Sequence, residues 1–541
     1  LWKNLFIFAP TKNIQPMPSF LIPPLLAAAS AAAPPATPSS ERPNIVLFLV
    51  DDMGWQDTSV PFWREPTPLN ARYRTPNMER LAARGIKFTE AYACPVSSPS
   101  RASLITGMAA ARHRVTNWTL HYATPTDQPG GRLLLPPWHC NGIRPEDRTT
   151  PHDTLLSTPA TPLPQLLRNL GYHTILCGKA HFAAVSTAGA DPHTLGFDVS
   201  IAGSAIGGPG SYLGSRRYGT GTFHVPELEK YEASGTFLTE ALTREALAAL
   251  DEPLATGKPF FLYLSHYAIH VPYDDDRRFS PGYRTPDGDG LYDAQLDAPL
   301  SEAEVRRAAL IEGMDKSLGD VLDFLDARPD VARRTVILFV SDNGGQSVSP
   351  RQGRHDRDPN APARGGKGSA HLGGVRVPLI AAWPGTVRGG TTSSSRVMIE
   401  DLFPTLLDIA GARHVRTLQY VDGRSIVPLM RTPSLCRPRP IVWHFPNSWD
   451  GSTDTDEGYG AFSALLDGPY HLLYFWEPRE LRLYNVETDI GEQADMAPAH
   501  PDLAKRLARQ LTDSLRAQGA QRPRDAATGQ PVPWPDGSTA P

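Results

Sequence analysis

The stretch Asn44-Ile45-Val46-Leu47-Phe48-Leu49-Val50 is an almost unbroken apolar run of strand length that stops on Asp51-Asp52. A strand apolar on both faces has to be covered on both, which is the condition of a parallel sheet held between helices. Further strand signals lie at 174–176, 260–265 and 335–340, and helix signals at 78–85, 163–170, 238–250 and 303–325. This alternation predicts an α/β fold.

In such sheets ligands gather beyond the carboxyl ends of parallel strands, so the residues placed there carry the most information. The first run delivers Asp51 and Asp52; the run Val336-Ile337-Leu338-Phe339-Val340-Ser341 delivers Asp342-Asn343-Gly344-Gly345. If the two strands are neighbours, three carboxylates and an amide oxygen converge. That hard-oxygen set suits calcium, and magnesium less well. Taken alone, each acidic pair is also what a strand-end turn or a helix cap requires.

A second cluster is Ser97-Ser98-Pro99-Ser100-Arg101, continued by Ala102-Ser103-Leu104-Ile105-Thr106-Gly107. Ser97 or Ser98 can cap a helix, and Pro99 suits its first turn. The free amides and positive dipole end would face Ser97, and Arg101 adds a fork of donors for tetrahedral oxygens. Lys179 and His181 follow the strand signal through Cys177, His270 follows the one through Leu264, and Lys367 sits among glycines in Gly365-Gly366-Lys367-Gly368. His266 and His371 read as ordinary core or surface histidines. Transfer of an anionic ester group needs cations on its oxygens, a proton donor for the leaving alcohol and a base for the second step. Lys179, Lys367 and Arg101 can do the first; His181 and His270 can do the others.

Ser97 followed by x-Pro-Ser-Arg resembles the signature of the type I, arylsulfatase-like sulfatases of the alkaline phosphatase superfamily. Thr75-Pro76-Asn77, Gly171-Tyr172-His173-Thr174, Ser341-Asp342-Asn343-Gly344-Gly345, Phe403-Pro404-Thr405-Leu406-Leu407-Asp408 and Leu483-Tyr484-Asn485-Val486-Glu487 extend the resemblance in order over about residues 43–497. It implies a large mixed, mostly parallel sheet sandwiched by helices, alkaline phosphatase-like, with a smaller C-terminal α+β subdomain. It implies that Ser97 is oxidised to formylglycine and, with Asp51, Asp52, Asp342 and Asn343, holds one calcium ion. A hydroxyl of the aldehyde hydrate would attack sulfur, with Asp342 accepting its proton and His270 or Lys367 assisting departure. His181 would then take the proton of the remaining hydroxyl, so that the aldehyde reforms and expels sulfate. Plain serine lacks that second hydroxyl. Because the position is Ser rather than Cys, a bacterial radical-type maturase is the implied partner, and a sulfated carbohydrate or aryl sulfate the implied substrate. Two departures stand out: Ala180 replaces a common aromatic between Lys179 and His181, and Leu372 a common Glu before Gly373-Gly374.

Two other readings use the same residues: a two-metal phosphomonoesterase or phosphodiesterase with unmodified Ser97, and an inactive protein that binds sulfated glycans. Lys179 and Lys367 stand where the first would need further metal ligands.

The chain has 541 residues, enough for a large and a smaller domain, and its net charge of -4 offers no footprint for nucleic acid. We divide it into a signal peptide and leader (1–41), a catalytic domain (42–435), a C-terminal subdomain (436–517) and a Pro-rich tail (518–541). Strands are expected at 441–445 and 470–475 and a helix at 503–516. The leader, apolar from Phe20 and Ala-rich up to Ala33, predicts export to the periplasm or medium with a mature start near Pro34. No later stretch is long and apolar enough to span a bilayer. Cys94, Cys140, Cys177 and Cys436 are too few and scattered for a disulfide framework or a metal knuckle, although one disulfide is possible; Cys94 reads as a small buried residue. The Asn117-Trp118-Thr119 sequon reads as incidental. Segments 116–151, 207–218 and Trp443-His444-Phe445-Pro446-Asn447 are candidates to shape a substrate cleft.

Overall fold

The computed structural model describes residues 42–127, 131–146, 154–349, 353–354, 359–449 and 452–540. The expected leader and its cleavage site, and parts of segment 116–151, lie outside them. The strands of the main sheet are β1 (Asn44–Val50), β2 (Ile86–Phe88), β3 (His173–Gly178), β4 (Val199–Ile201), β5 (Phe260–Ser265), β6 (Thr335–Ser341), β7 (Leu379–Ala382) and β8 (Thr391–Ser393). Their order is β8-β2-β7-β6-β1-β5-β3-β4. Only β7 runs against the others.

All seven residues of β1 are buried, as the double-sided apolar run requires. β1 pairs with β6 on one side and β5 on the other, in parallel. The first pairing is the decisive one for function: Val50 stands opposite Ser341, so Asp51-Asp52 and Asp342-Asn343 leave the sheet side by side. The helices fall into two contacting groups, one around Glu302–Asp326 with Pro76–Arg84 and Leu238–Ala248, the other around Ser97–Thr106 with Leu163–Asn169 and Leu402–Ile409. The expected helix at 238–250 stops at Ala248 and restarts as Asp251–Thr256, where two acids and Pro253 favour a new first turn.

Strands Ile441–Phe445, Phe462–Asp467, Tyr470–Phe475 and Glu480–Asn485 form a four-stranded antiparallel sheet. Its two faces follow the strand period of two: Phe462, Ala464 and Leu466 join the main core, while Leu465, Leu472 and Tyr474 pack with helix Pro501–Ala517. The polar, Pro-rich stretch after residue 517 packs back onto the protein. Val532 and Trp534 are buried in this second core, Trp534 lying 6.2 Å from Trp476, and Arg524–Asp525 pairs with Leu133–Leu134. Among the described residues no helix is long and apolar enough to cross a membrane. All four cysteines are free; Cys94, Cys140 and Cys177 are buried and Cys436 is exposed.

Candidate active site

The two strand ends converge as their register demands. Carboxylate oxygens of Asp51, Asp52 and Asp342, all buried, lie within 4.8 Å of one another. Asp52 takes φ of 60°, a left-handed conformation uncommon for a residue with a side chain. Its backbone amide meets Asp342 Oδ1 at 3.3 Å, and Asn343 Nδ2 donates to Asp52 Oδ1 at 2.8 Å. Departures of this kind concentrate at functional sites because the surrounding structure compensates for the strain.

Ser97 faces this cluster from the first turn of helix Ser97–Thr106. The expected N-cap role for Ser97 or Ser98 is corrected: Val96 is the flanking residue and no side chain caps this end. Both hydroxyls are engaged elsewhere. Ser97 Oγ donates toward Asp51 Oδ1 at 3.1 Å or Asn343 Oδ1 at 3.2 Å, and Lys179 Nζ donates to it at 3.2 Å. Ser98 Oγ lies 3.1 Å from His181 Nε2 and accepts from the Thr119 amide at 3.0 Å.

The three predicted cations all lie at the cluster, each against a different carboxylate. Lys179 Nζ sits 2.6 Å from Asp51 Oδ2, and Lys367 Nζ 2.8 and 2.9 Å from the two oxygens of Asp52. Arg101, fully buried, does not present its fork to the cleft. Its Nε donates to Asp342 Oδ2 at 2.9 Å and its Nη1 to Ser265 Oγ at 2.7 Å and the Lys179 carbonyl at 3.1 Å. Nη2, 2.8 Å from Asp342, has no well-aligned acceptor. Arg101 therefore orients a cluster carboxylate, the task that a planar guanidinium suits.

Burial pushes the Asp51 carboxyl up to about 7, with Lys179 opposing and the neighbouring Asp342 and Asp52 adding to the rise. Burial also pushes Lys179 down to about 8. At Asp52 and Asp342 burial works the same way but is outweighed, by Lys367 and His270 for Asp52 and by Arg101 and Lys179 for Asp342, so both stay below the usual carboxylate range. Lys367 is held above its ordinary value because Asp52 and Asp51 outweigh its burial.

The two histidines have opposite ring nitrogens engaged. His181, with φ of 53°, places Nε2 2.9 Å from the Thr119 carbonyl, which can only accept. The proton is therefore on Nε2 and the lone pair on Nδ1, which is buried without a hydrogen-bond partner. Burial, reinforced by Lys179, keeps this ring neutral, well below the ordinary histidine value. His270 donates from Nδ1 to the Val271 carbonyl at 2.7 Å and turns Nε2 toward Asp52 Oδ2 at 3.8 Å; burial and Lys367 lower it to about 4.

Above the cluster opens a cleft of about 420 Å³ whose lining includes Ser97, His181, His270, Lys367, Trp118 and Trp449. Segments 116–151 and 207–218 contribute to it as expected, through Trp118 and the glycines from Gly207 to Gly210. Trp443-His444-Phe445 does not: Trp443 is buried and donates from Nε1 to the Ala93 carbonyl at 2.9 Å, so it is packing. The sequence reading missed Phe223 and Trp449; the available signal at Trp449 was an aromatic in the polar loop Asn447-Ser448-Trp449. Ala180 and Leu372 are both buried away from the lining. At Leu372 a carboxylate arrives from elsewhere, since its amide donates to Glu492 Oε2 at 2.8 Å. Asn117 is fully buried, which agrees with an incidental sequon.

Two glycines form the wall against the histidines. A Cβ at Gly207 would stand 2.7 Å from His181 Cε1, and one at Gly208 would stand 2.6 Å from His270 Nδ1. Gly208→Ala should displace the His270 ring and lower kcat/KM about 10²-fold, the cost typical of a misplaced catalytic group. Its melting temperature should change little. Steady-state kinetics with thermal unfolding checks this; unchanged kinetics would remove His270 from the machinery.

An open, mostly parallel sheet whose adjacent strand ends supply a carboxylate cluster, facing a hydroxyl residue on a helix and ringed by lysines and histidines, defines a hydrolase of anionic esters. The Sulfatase family model matches residues 43–412, and a model described as N-sulphoglucosamine sulphohydrolase, C-terminal, matches residues 369–518. The chain belongs to the sulfatase family, type I, in the alkaline phosphatase superfamily, and is an enzyme that hydrolyses sulfate esters. It is 27% identical to a sulfatase of Formosa agariphila over 95% of both chains. It is 30% identical to N-acetylgalactosamine-6-sulfatase of Mus musculus, over 76% of this chain and 71% of that one. The crystal structure of Ps i-CgsB in complex with k-i-k-neocarrahexaose shares the fold at a TM-score of 0.64 and 24% identity, covering 88% of this chain and 93% of that one.

Proposed function

We propose that this protein is an exported bacterial sulfatase that releases sulfate from a sulfated saccharide, using a formylglycine made from Ser97 and one calcium ion. The observation that carries the reading is the position of Ser97 Oγ in the lining of the cleft, 3.1 Å from Asp51 Oδ1 and 3.2 Å from Asn343 Oδ1. The donor set fits the ion. Three crowded carboxylates and an amide oxygen are all hard ligands, and oxygens within 4.8 Å of one another can share a cation at calcium distances of roughly 2.3–2.6 Å. Burial raises Asp51, with the crowding of Asp342 and Asp52 adding to it against Lys179, and a cation among these carboxylates would favour their ionised forms.

Asp51, Asp52, Asp342 and Asn343 would hold calcium, which when bound supplies Lewis-acid polarisation of a sulfate oxygen. Formylglycine at residue 97 would supply the nucleophile. Lys179 and Lys367, now on Asp51 and Asp52, are placed to neutralise sulfate oxygens, while Arg101 keeps Asp342 oriented and ionised to accept the first proton at residue 97. Lys367, charged at neutral pH, is the donor for the leaving oxygen; His270, neutral there, accepts at Nε2. His181 offers the unpaired Nδ1 as base for the second proton. The printed names of the similar proteins, an N-acetylgalactosamine-6-sulfatase and a structure in complex with k-i-k-neocarrahexaose, support the saccharide class.

Coexpression with a formylglycine maturase tests this directly. The peptide carrying residue 97 should lose two hydrogens in a mass spectrum, and the matured protein should cleave a chromogenic sulfate in preference to the matching phosphate. Phosphate turnover by protein with unmodified Ser97 would support the phosphatase alternative instead.

A further inference from the structure

A sulfate group fills only a small part of a cleft of about 420 Å³, so most of that volume receives the alcohol portion of the ester. Two of its walls are indoles from distant parts of the chain, Trp118 and Trp449. Trp449 is rigidly held. Its ring stacks on Tyr459, with centroids 6.0 Å apart and planes 20° apart, and a Cβ on Gly368 would lie 2.5 Å from its Cε3.

One carboxylate ties both walls together. Asp127 Oδ1 accepts from Asn117 Nδ2 at 3.2 Å, from Asn447 Nδ2 at 3.1 Å and from the Ser448 amide at 3.0 Å. Its Oδ2 accepts from Trp138 Nε1 at 2.5 Å. Asn117 Nδ2 also donates to the Ser448 carbonyl at 3.2 Å. Asn117 immediately precedes Trp118 in one loop, and Asn447-Ser448 immediately precede Trp449 in the other. Charge-assisted bonds from a single hub fix the separation of the two loops more firmly than neutral ones would.

We propose that Trp118 and Trp449 are the walls of a saccharide subsite continuous with the sulfate pocket, and that Asp127 is the positioning residue that sets their spacing. The occupant is the sugar ring that carries the sulfate ester. Its C–H faces pack on indole, a large rigid surface that orders at little entropic cost, while Gln346, also in the lining, can meet ring hydroxyls. The subsite rests on the reading of the Ser97 pocket as the sulfate end.

Binding can be measured without turnover, on the full-length, calcium-loaded S97A protein. It would be titrated against an array of sulfated hexosamines, galactose sulfates and carrageenan oligosaccharides, with inorganic sulfate as the reference ligand. In the S97A background, W449A and W118A should each weaken the tightest saccharide about tenfold or more relative to inorganic sulfate, the scale of a buried aromatic anchor. D127N should show the same bias by a smaller factor, and W449F should recover most of the loss. Equal weakening of saccharide and inorganic sulfate, or no saccharide bound more tightly than inorganic sulfate, overturns the subsite. Selective saccharide binding with no turnover by the matured wild type would instead count against the sulfatase mechanism and support the subsite.

Discussion

Ser97→Ala should abolish sulfate-ester turnover, by on the order of 10⁴-fold or more, as loss of a nucleophile does elsewhere. The substitution removes one oxygen and hence both the site of oxidation and the hydroxyl that lies 3.1 Å from Asp51 Oδ1. Asp51 keeps Lys179 at 2.6 Å and Asn343 keeps Asp52 at 2.8 Å, so the fold loses little. The contrast between lost activity and a nearly unchanged melting temperature is the diagnostic result. It is read by kinetics on a chromogenic sulfate beside thermal unfolding of the same preparation. Substantial turnover by the variant would place the nucleophile elsewhere.

Asp342→Ala should remove activity and stability together. Asp342 is a member of the carboxylate cluster and the partner of a fully buried guanidinium, Arg101. Removing one partner of a buried pair leaves the other charge uncompensated, a cost of about 3–5 kcal/mol. Activity should fall by at least about 10³-fold and calcium should no longer raise the melting temperature. Asp342→Asn, which can still accept from Arg101, should restore part of the stability without restoring activity. Denaturant unfolding with and without calcium separates the two effects. A stable, calcium-responsive Asp342→Ala protein would remove Asp342 from the ion site. The pH dependence has a definite sign: Asp342 is held below the usual carboxylate range, so its contribution is present above the ordinary carboxylate pKa and lost as pH falls through the depressed value.

Much of the catalytic set was legible because it sits on short signals. Apolar runs of strand length mark β1 and β6, and the polar residues just after them have only one place to be, at the strand ends. Lys179, His181 and His270 were found by the same rule at the ends of β3 and β5. What the rule could not supply is direction. Arg101 was expected to face the substrate's oxygens and instead holds Asp342, because Ser265 and the Lys179 carbonyl, brought in by β5 and β3, complete its coordination from behind. The helix cap was misplaced by one or two residues because both serine hydroxyls have tertiary partners better than a helix amide. Trp449 offered only an aromatic in a polar loop, and Asp127 no pattern; they matter because two loops far apart in sequence meet at the cleft.

By itself the chain's sequence determined the α/β class, the strand ends that bear Asp51, Asp52, Asp342 and Asn343, and a helix in the stretch after Ser97, though not its first residue. Those follow from side-chain polarity and backbone preference, which act over a few residues. Only the tertiary structure decided that β1 lies beside β6, which closes three carboxylates to within 4.8 Å, and that Asp52 and His181 adopt left-handed backbone to face the site. Only it decided which residues wall the cleft. Strand adjacency, loop paths and buried-charge pairing are set by packing between segments remote in sequence, and no local propensity encodes them.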